Sequence, residues 1–267
     1  MITIICCYGT RPEFIKNAPV IAALEKYPKL KTSVMCSGQH QELLKGLNQI
    51  FGIVNHHDLQ IRAKIGKNDD LSLLGSNLIY AFSKRFRELR PSAVVVQGDA
   101  ASTFFAALAA FHLKIPIFYV EAGLRTYDLS GPFPEEGYRQ MITRLAEVCF
   151  APTKTSRKNL IRENIKSSQI KVVGNTVIDS LKKISKSLVS IEKNQLLEQK
   201  IPQLKRRGKR KLVVVEIHRR ENYGESLIQI LTALLEIQAK HPDYFFVFPV
   251  HPSLNIKPLV SKFLKRK

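Results

Sequence analysis

The chain has 267 residues, 45% of them hydrophobic and 24% charged, with a formal charge of +20 at pH 7. This length can bury a large core and makes two domains the expectation, while the balance of apolar and charged residues excludes a disordered chain. No apolar run approaches the roughly 18 residues that a membrane-spanning helix requires, so no membrane association is expected.

The charge is uneven. Residues 1–150 carry 17 Lys and Arg against 13 Asp and Glu, whereas residues 151–267 carry 25 against 9. Such an excess can mark nucleic acid, an anionic surface or a polyanionic ligand such as a nucleotide diphosphate. In KKISKSLVSIEKNQLLEQK (182–200) the lysines are interleaved with apolar residues at helical spacing, the pattern of a solvated helix face. With no RNP-like aromatic set in that half, nucleic acid is not an expected partner. Cys6, Cys7, Cys36 and Cys149 make no CxxC pair and no regular framework. Neither a metal site nor disulfides are expected, and the thiols read as small buried hydrophobes.

In chain order, MITIICCYGTRPE lacks the basic n-region and cleavage site of a signal peptide and reads as the first strand (2–8) of a cytoplasmic protein. Apolar runs at 31–36, 92–97, 116–121, 148–152 and 170–174 predict further strands. FIKNAPVIAALEKY, LSLLGSNLIYAFSKRFREL, STFFAALAAFHL and TSRKNLIRENI predict helices between several of them. Strands alternating with helices imply βαβ crossovers, hence an α/β protein with a mostly parallel, doubly wound sheet over residues 1–176. A helix beyond 177 and the polar IPQLKRRGKRK then lead to a restart, with strands at 211–217 and 243–250 and a helix over 224–240. The second α/β unit, residues 177–267, shows only two strands and reads as incomplete.

Ligands of open α/β sheets bind beyond the carboxyl ends of the strands. Reactive side chains fall at that edge six times: Gly9-Thr10-Arg11, Ser37-Gly38-Gln39-His40, Gly98-Asp99, Glu121, His218-Arg219-Arg220-Glu221-Asn222 and His251. Together they outline a cleft between two domains. Singly each is weak; Asp99, for one, also suits the cap of a helix beginning at Ala101.

The stretch 117–139 gathers Glu121, Asp128, Glu135 and Glu136 in an otherwise basic chain. Carboxylates presented from two sides of a site can remove and return protons, with Arg125 or Arg139 and burial tuning them. The plainer reading is that Glu135 and Glu136 open a helix, where acids favour the dipole. No Walker motif and no GxGxxG follow the first strand, so an ordinary NTPase or NAD site is not expected. GTRPE can instead meet phosphate through helix N-terminal amides and the cations of Arg11 and Lys16.

The segments GTRPEFIKNAP, SGQHQELL, VVVQGDAAST, VEAGLRTYDLSGPFPEE, FAPTKTSRKNLIREN, VVGNTVIDSL and HRRENYGESL, in this order over nearly the whole chain, resemble the bacterial non-hydrolysing UDP-N-acetylglucosamine 2-epimerases. The resemblance implies the GT-B architecture of two Rossmann-like domains, and reversible inversion at sugar C2 between UDP-GlcNAc and UDP-ManNAc without a cofactor. UDP is eliminated with the C2 proton to give a glycal, then re-added after protonation on the opposite face. By position, Asp99, Glu121 and Glu135 match the family's catalytic carboxylates and His218 its catalytic or diphosphate-contacting histidine. Arg11 and Lys16 match nucleotide-holding residues, Arg219 and His251 weaker contacts. Gln39, His40 and Gln41 match the loop of a regulatory UDP-GlcNAc site. A homodimer is the implied assembly.

The chain departs from the family at Tyr138, usually Asn, at Ala100, usually Thr, and at Ser253-Leu254-Asn255, which replaces a second Asn-Pro element. Family members also continue beyond residue 267 into a uridine-gripping segment and a helix that returns to the first domain, so the expectation is an epimerase by descent with impaired activity in this chain. An epimerase of another UDP-2-acetamido sugar and a non-catalytic nucleotide-sugar binder are the alternatives.

Overall fold

A computed structural model describes residues 1–39, 47–54, 57–61, 70–188, 198–199, 201–217, 223–250 and 257–265. The chain forms two compact units, Met1–Ser187 and Leu188–Lys267.

The first unit holds a seven-stranded sheet: β1 Ile2–Tyr8, β2 Leu30–Cys36, β3 His57–Asp58, β4 Ala93–Gln97, β5 Ile117–Val120, β6 Val148–Ala151 and β7 Ile170–Val172. Its order is β3-β2-β1-β4-β5-β6-β7 and every pairing is parallel. The two-residue β3 has no periodic signature, which is why the sequence gives no sign of it. The crossovers are α1 Arg11–Leu24, α2 Leu47–Phe51, α3 Leu71–Leu89, α4 Ala101–His112, α5 Glu135–Leu145 and α6 Lys154–Arg162.

Strand alternation sorts the core into two layers. Ile5 and Cys7 of β1 and Val94 and Val96 of β4 pack with Leu78, Phe82 and Phe86 of α3 and the alanines of α4. Ile4, Cys6 and Tyr8 face the other way, onto Phe14, Ala18 and Ile21 of α1 and Phe51 of α2. β4 is buried along its whole length, as expected of a central strand covered on both faces. The four cysteines are buried and free.

The helix α7, Val177–Leu188, is expected to open the second domain but lies with the first unit, which ends at Ser187 rather than at residue 176. Its Ser180 hydroxyl donates to the carbonyl of Ile15, and Lys183 Nζ donates to the carbonyl of Phe51 at 2.8 Å and stands over its ring. Side-chain anchors of this kind leave no trace in hydrophobic periodicity.

Within the second unit, β8 Lys211–Val214 and β9 Tyr244–Val247 pair in parallel, shorter than the expected 211–217 and 243–250. Two helices, α8 Glu225–Lys240 and α9 Lys257–Lys265, supply its core: Leu227, Leu231 and Val260 close over Ile217. Among the described residues no helix is long and apolar enough to cross a membrane.

Candidate active site

β1 and β4 are neighbours, yet the chain leaves β1 toward β2 and leaves β4 toward β5. This reversal opens a crevice at the carboxyl ends of the two strands, where ligands of doubly wound sheets bind. Three segments line it: Gly9-Thr10-Arg11 after β1, Gly98-Asp99 after β4 and Glu121 after β5.

Glu121 is 9% exposed and adopts φ +68°, a left-handed conformation rare for a residue with a side chain. The strain, about 1–3 kcal/mol, persists only where the surroundings over-determine it. They do so here. Lys16 Nζ lies 2.7 Å from both carboxylate oxygens, Gln97 Nε2 donates at 2.6 Å, and Asn175 Nδ2 donates at 2.9 Å.

Asp99 is not a helix cap. The cap position of α4 belongs to Ala100, which has no side chain to offer, and Asp99 instead faces Arg139 Nη1 at 3.4 Å. Its carboxyl is pushed above the ordinary range, chiefly by burial. The charge of Arg139 opposes this, Glu135 and Glu121 add to it, and Lys16 opposes it. Asp99, Glu121 and Glu135 share one electrostatic cluster with Lys16, a residue expected instead to hold the nucleotide.

Glu135 and Glu136 open α5, as acids at a helix start should, but their roles divide. Glu136 is fully buried and accepts from the amides of Thr126 and Tyr127 at 3.1 and 3.2 Å, from Gln140 at 2.8 Å and from Arg139 Nε at 3.1 Å. Burial pushes its carboxyl up, but the bonds from Gln140, the two amides and Arg139 prevail and hold it below the ordinary range. Glu136 thus ties the acidic loop to α5, while Glu135 adds charge beside Asp99.

Of the two arginines expected to tune these acids, Arg139 reaches them. Arg125 is engaged elsewhere, with Glu163 at 2.6 and 2.9 Å and Thr143 Oγ1 at 2.9 Å, and clamps the loop to α5 and α6.

The two amides that lead into α1 are engaged within the protein. The amides of Gly9 and Thr10 donate to Glu13 Oε2 at 2.9 and 2.7 Å, inside the protein. Arg11 remains exposed. Gln39 Oε1 accepts at 2.7 Å from the hydroxyl of Ser102, at the start of α4, and the Gln39 backbone N–H donates to Ser37 Oγ, just after β2, at 3.2 Å. His40, Gln41, His218, Arg219 and His251 lie outside the described residues.

Two further contributors, Gln97 and Asn175, had not been expected at the site, and Arg139 had been expected only to tune the acids. Gln97 is the last residue of β4, and Asn175 follows β7 directly after Gly174, both places the strand-end rule points to. Arg139 stands four residues after Glu135 on one helix face. The unusual Tyr138 is absorbed by packing, its ring stacked on Phe104 with centroids 4.8 Å apart.

Comparison with known proteins settles the family. The family model described as UDP-N-acetylglucosamine 2-epimerase matches residues 22–266. The chain belongs to the UDP-N-acetylglucosamine 2-epimerase family. It is 38% identical to the UDP-N-acetylglucosamine 2-epimerase of Neisseria meningitidis serogroup A, over 98% of this chain and 69% of the relative, and 37% identical to that of Escherichia coli K12, over 98% and 68%. The Neisseria meningitidis UDP-GlcNAc 2-epimerase crystallised with UDP-GlcNAc superposes with a TM-score of 0.91 at 37% identity, covering 99% of this chain and 70% of that one. The α/β, GT-B-type class of these epimerases is accordingly the class of this chain. Of the acids at these strand ends and in 117–139, Glu121 meets Lys16, and Asp99 and Glu136 meet Arg139.

Proposed function

We propose that this chain carries the sugar-side chemistry of a UDP-GlcNAc 2-epimerase, interconverting UDP-GlcNAc and UDP-ManNAc. A carboxylate removes the C2 proton, the C1–O bond to UDP breaks and a C1=C2 double bond forms. Return of a proton to the opposite face of C2, with attack of the UDP oxygen at C1, gives the epimer. Hydrogen leaves and returns as a proton, so the balance requires no hydride acceptor.

Inversion needs proton-transfer groups on two faces of one carbon. The observation that carries the reading is the cluster of Asp99, Glu121 and Glu135 on three separate elements with Lys16 and Arg139 among them. Asp99, with its raised carboxyl, suits the exchange of protons, with Glu135 as its counterpart. Glu121, bonded to three donors, suits a fixed charge beside the reacting carbon. For the diphosphate we propose Arg11, His218, Arg219 and His251, and for a second nucleotide-sugar site Gln39, His40 and Gln41, on the sequence resemblance. A reducing, cytoplasmic compartment accords with four free thiols.

We further infer a homodimer through α3, whose Leu73 and Tyr80 stand seven residues apart on one face and are exposed, Tyr80 by 70%. Light scattering is expected to return twice the chain mass; the monomer mass would contradict it. The activity is tested by product analysis with UDP-GlcNAc. UDP-ManNAc is expected; free ManNAc would indicate a hydrolase, and binding without any product a non-catalytic binder.

A further inference from the structure

We propose that Glu13 is a positioning residue of the carboxylate cluster: from beneath the crevice it fixes the first turn of α1 and thereby sets the reach of Lys16 onto Glu121. The catalytic meaning of this rests on the epimerase reading, whereas its geometry does not.

Glu13 is 3% exposed. One of its oxygens accepts from the amides of Gly9 and Thr10, and the other accepts from the hydroxyl of Thr103 in the first turn of α4. That hydroxyl lies 2.8 Å from the carbonyl of Gln97, the residue whose side chain donates to Glu121. A single carboxylate therefore touches the β1–α1 loop and α4 and, through Thr103, meets the tip of β4. A Cβ added at Gly98 would lie 3.9 Å from Glu13 Cγ and 4.0 Å from Glu121 Oε2, so the two acids flank the same glycine.

Capping α1 would need only the amides of its first turn. The bond to Thr103 goes further, because it locks α1 to the opposite lip of the crevice, and a buried carboxylate is a costly way to build a mere cap. Lys16 is three residues along the same helix face. Its side chain is long and rotamer-rich, yet Nζ sits 2.7 Å from both oxygens of a residue 105 positions away. Holding it there requires the backbone of α1 to be fixed relative to the tip of β4, whose Gln97 also holds Glu121, and Glu13 makes that connection through Thr103.

The test reads the Lys16 ammonium directly, by 15N–1H NMR of the whole chain without ligand, so it needs no turnover. In the wild type the Lys16 signal is expected to be protected from exchange, and its assignment is checked by loss in Lys16→Met. Glu13→Ala is expected to lose the signal, and Glu13→Gln, which keeps an acceptor for the two amides and a polar partner for Thr103, to retain it. Phe86→Leu, a destabilising change in the other core layer, is expected to keep it. Persistence of the signal in folded Glu13→Ala, its loss in Phe86→Leu or its absence from the wild type would each overturn the proposal. Where Glu13→Ala does not fold, Thr103→Val decides, with loss expected and persistence overturning. With UDP-GlcNAc, Glu13→Ala should lower kcat and leave KM unchanged; a wild type that turns nothing over while keeping its Lys16 signal would count against the epimerase reading and not against this role.

Discussion

Glu136 and Asp99 show how neighbouring carboxylates acquire opposite properties from their surroundings. Glu136 is buried among donors and lies below its ordinary value, so its stabilising contribution is present above the unfolded value of about 4.5 and is lost as pH falls through the folded one. Asp99 lies above its ordinary value of 3.8, so its contribution is present below that value and is lost as pH rises through the folded one. Glu136→Gln should therefore lower Tm at neutral pH, by an amount that shrinks in acid. Asp99→Asn should leave Tm at neutral pH equal or higher, an advantage that vanishes below about pH 4. Thermal scans at several pH values check both, and equal pH dependences would contradict the assignment. Both Asp99→Asn and Glu121→Gln should abolish epimerisation with the fold retained, read by product formation beside circular dichroism. Ala100, alone among these positions, lacks a group it could use. Ala100→Thr supplies the missing cap of α4 and should raise stability by about 1 kcal/mol, measured by denaturant unfolding.

At the scale of elements, the crevice depends on how closely β1, β2 and α4 approach. A Cβ at Gly9 would come within 2.0 Å of Ser102 Oγ and 2.2 Å of Ser37 Oγ, so Gly9→Val must displace α4 or the end of β2 and with it Asp99, two residues before α4 begins. Loss of activity exceeding the loss of stability is the expected result. Beneath the crevice, Phe82 is fully buried between α3 and the sheet, and Phe82→Ala should cost about 3–5 kcal/mol in equilibrium unfolding. The two changes separate the scaffold from the site it carries.

For the molecule as a whole, most strands and crossover helices were legible because a buried parallel strand is a short apolar run and a covering helix repeats near 3.6 residues, as in AVVVQ and LSLLGSNLIYAFSKRFREL. Of the candidate site, Asp99 and Glu121 were legible because each follows the carboxyl end of a strand. What escaped was long-range and polar. That Glu13 would take the amides offered by GTRPE, that Arg125 would turn to Glu163, and that α7 would anchor to Ile15 and Phe51 are pairings across distances that no local pattern records. Composition was a poor guide as well, since the +20 charge masks a cluster of acids whose cations are placed beside them.

The central claim is that carboxylates from separate strand tips and helix starts exchange the hydrogen at C2 of a nucleotide-bound sugar. Incubating the chain with UDP-GlcNAc in deuterium oxide and following the sugar protons by NMR tests it most directly. Deuterium is expected to replace the C2 proton as UDP-ManNAc accumulates, and Asp99→Asn to show neither change. Epimer formed with its C2 hydrogen retained, or unaltered exchange in Asp99→Asn, would contradict it.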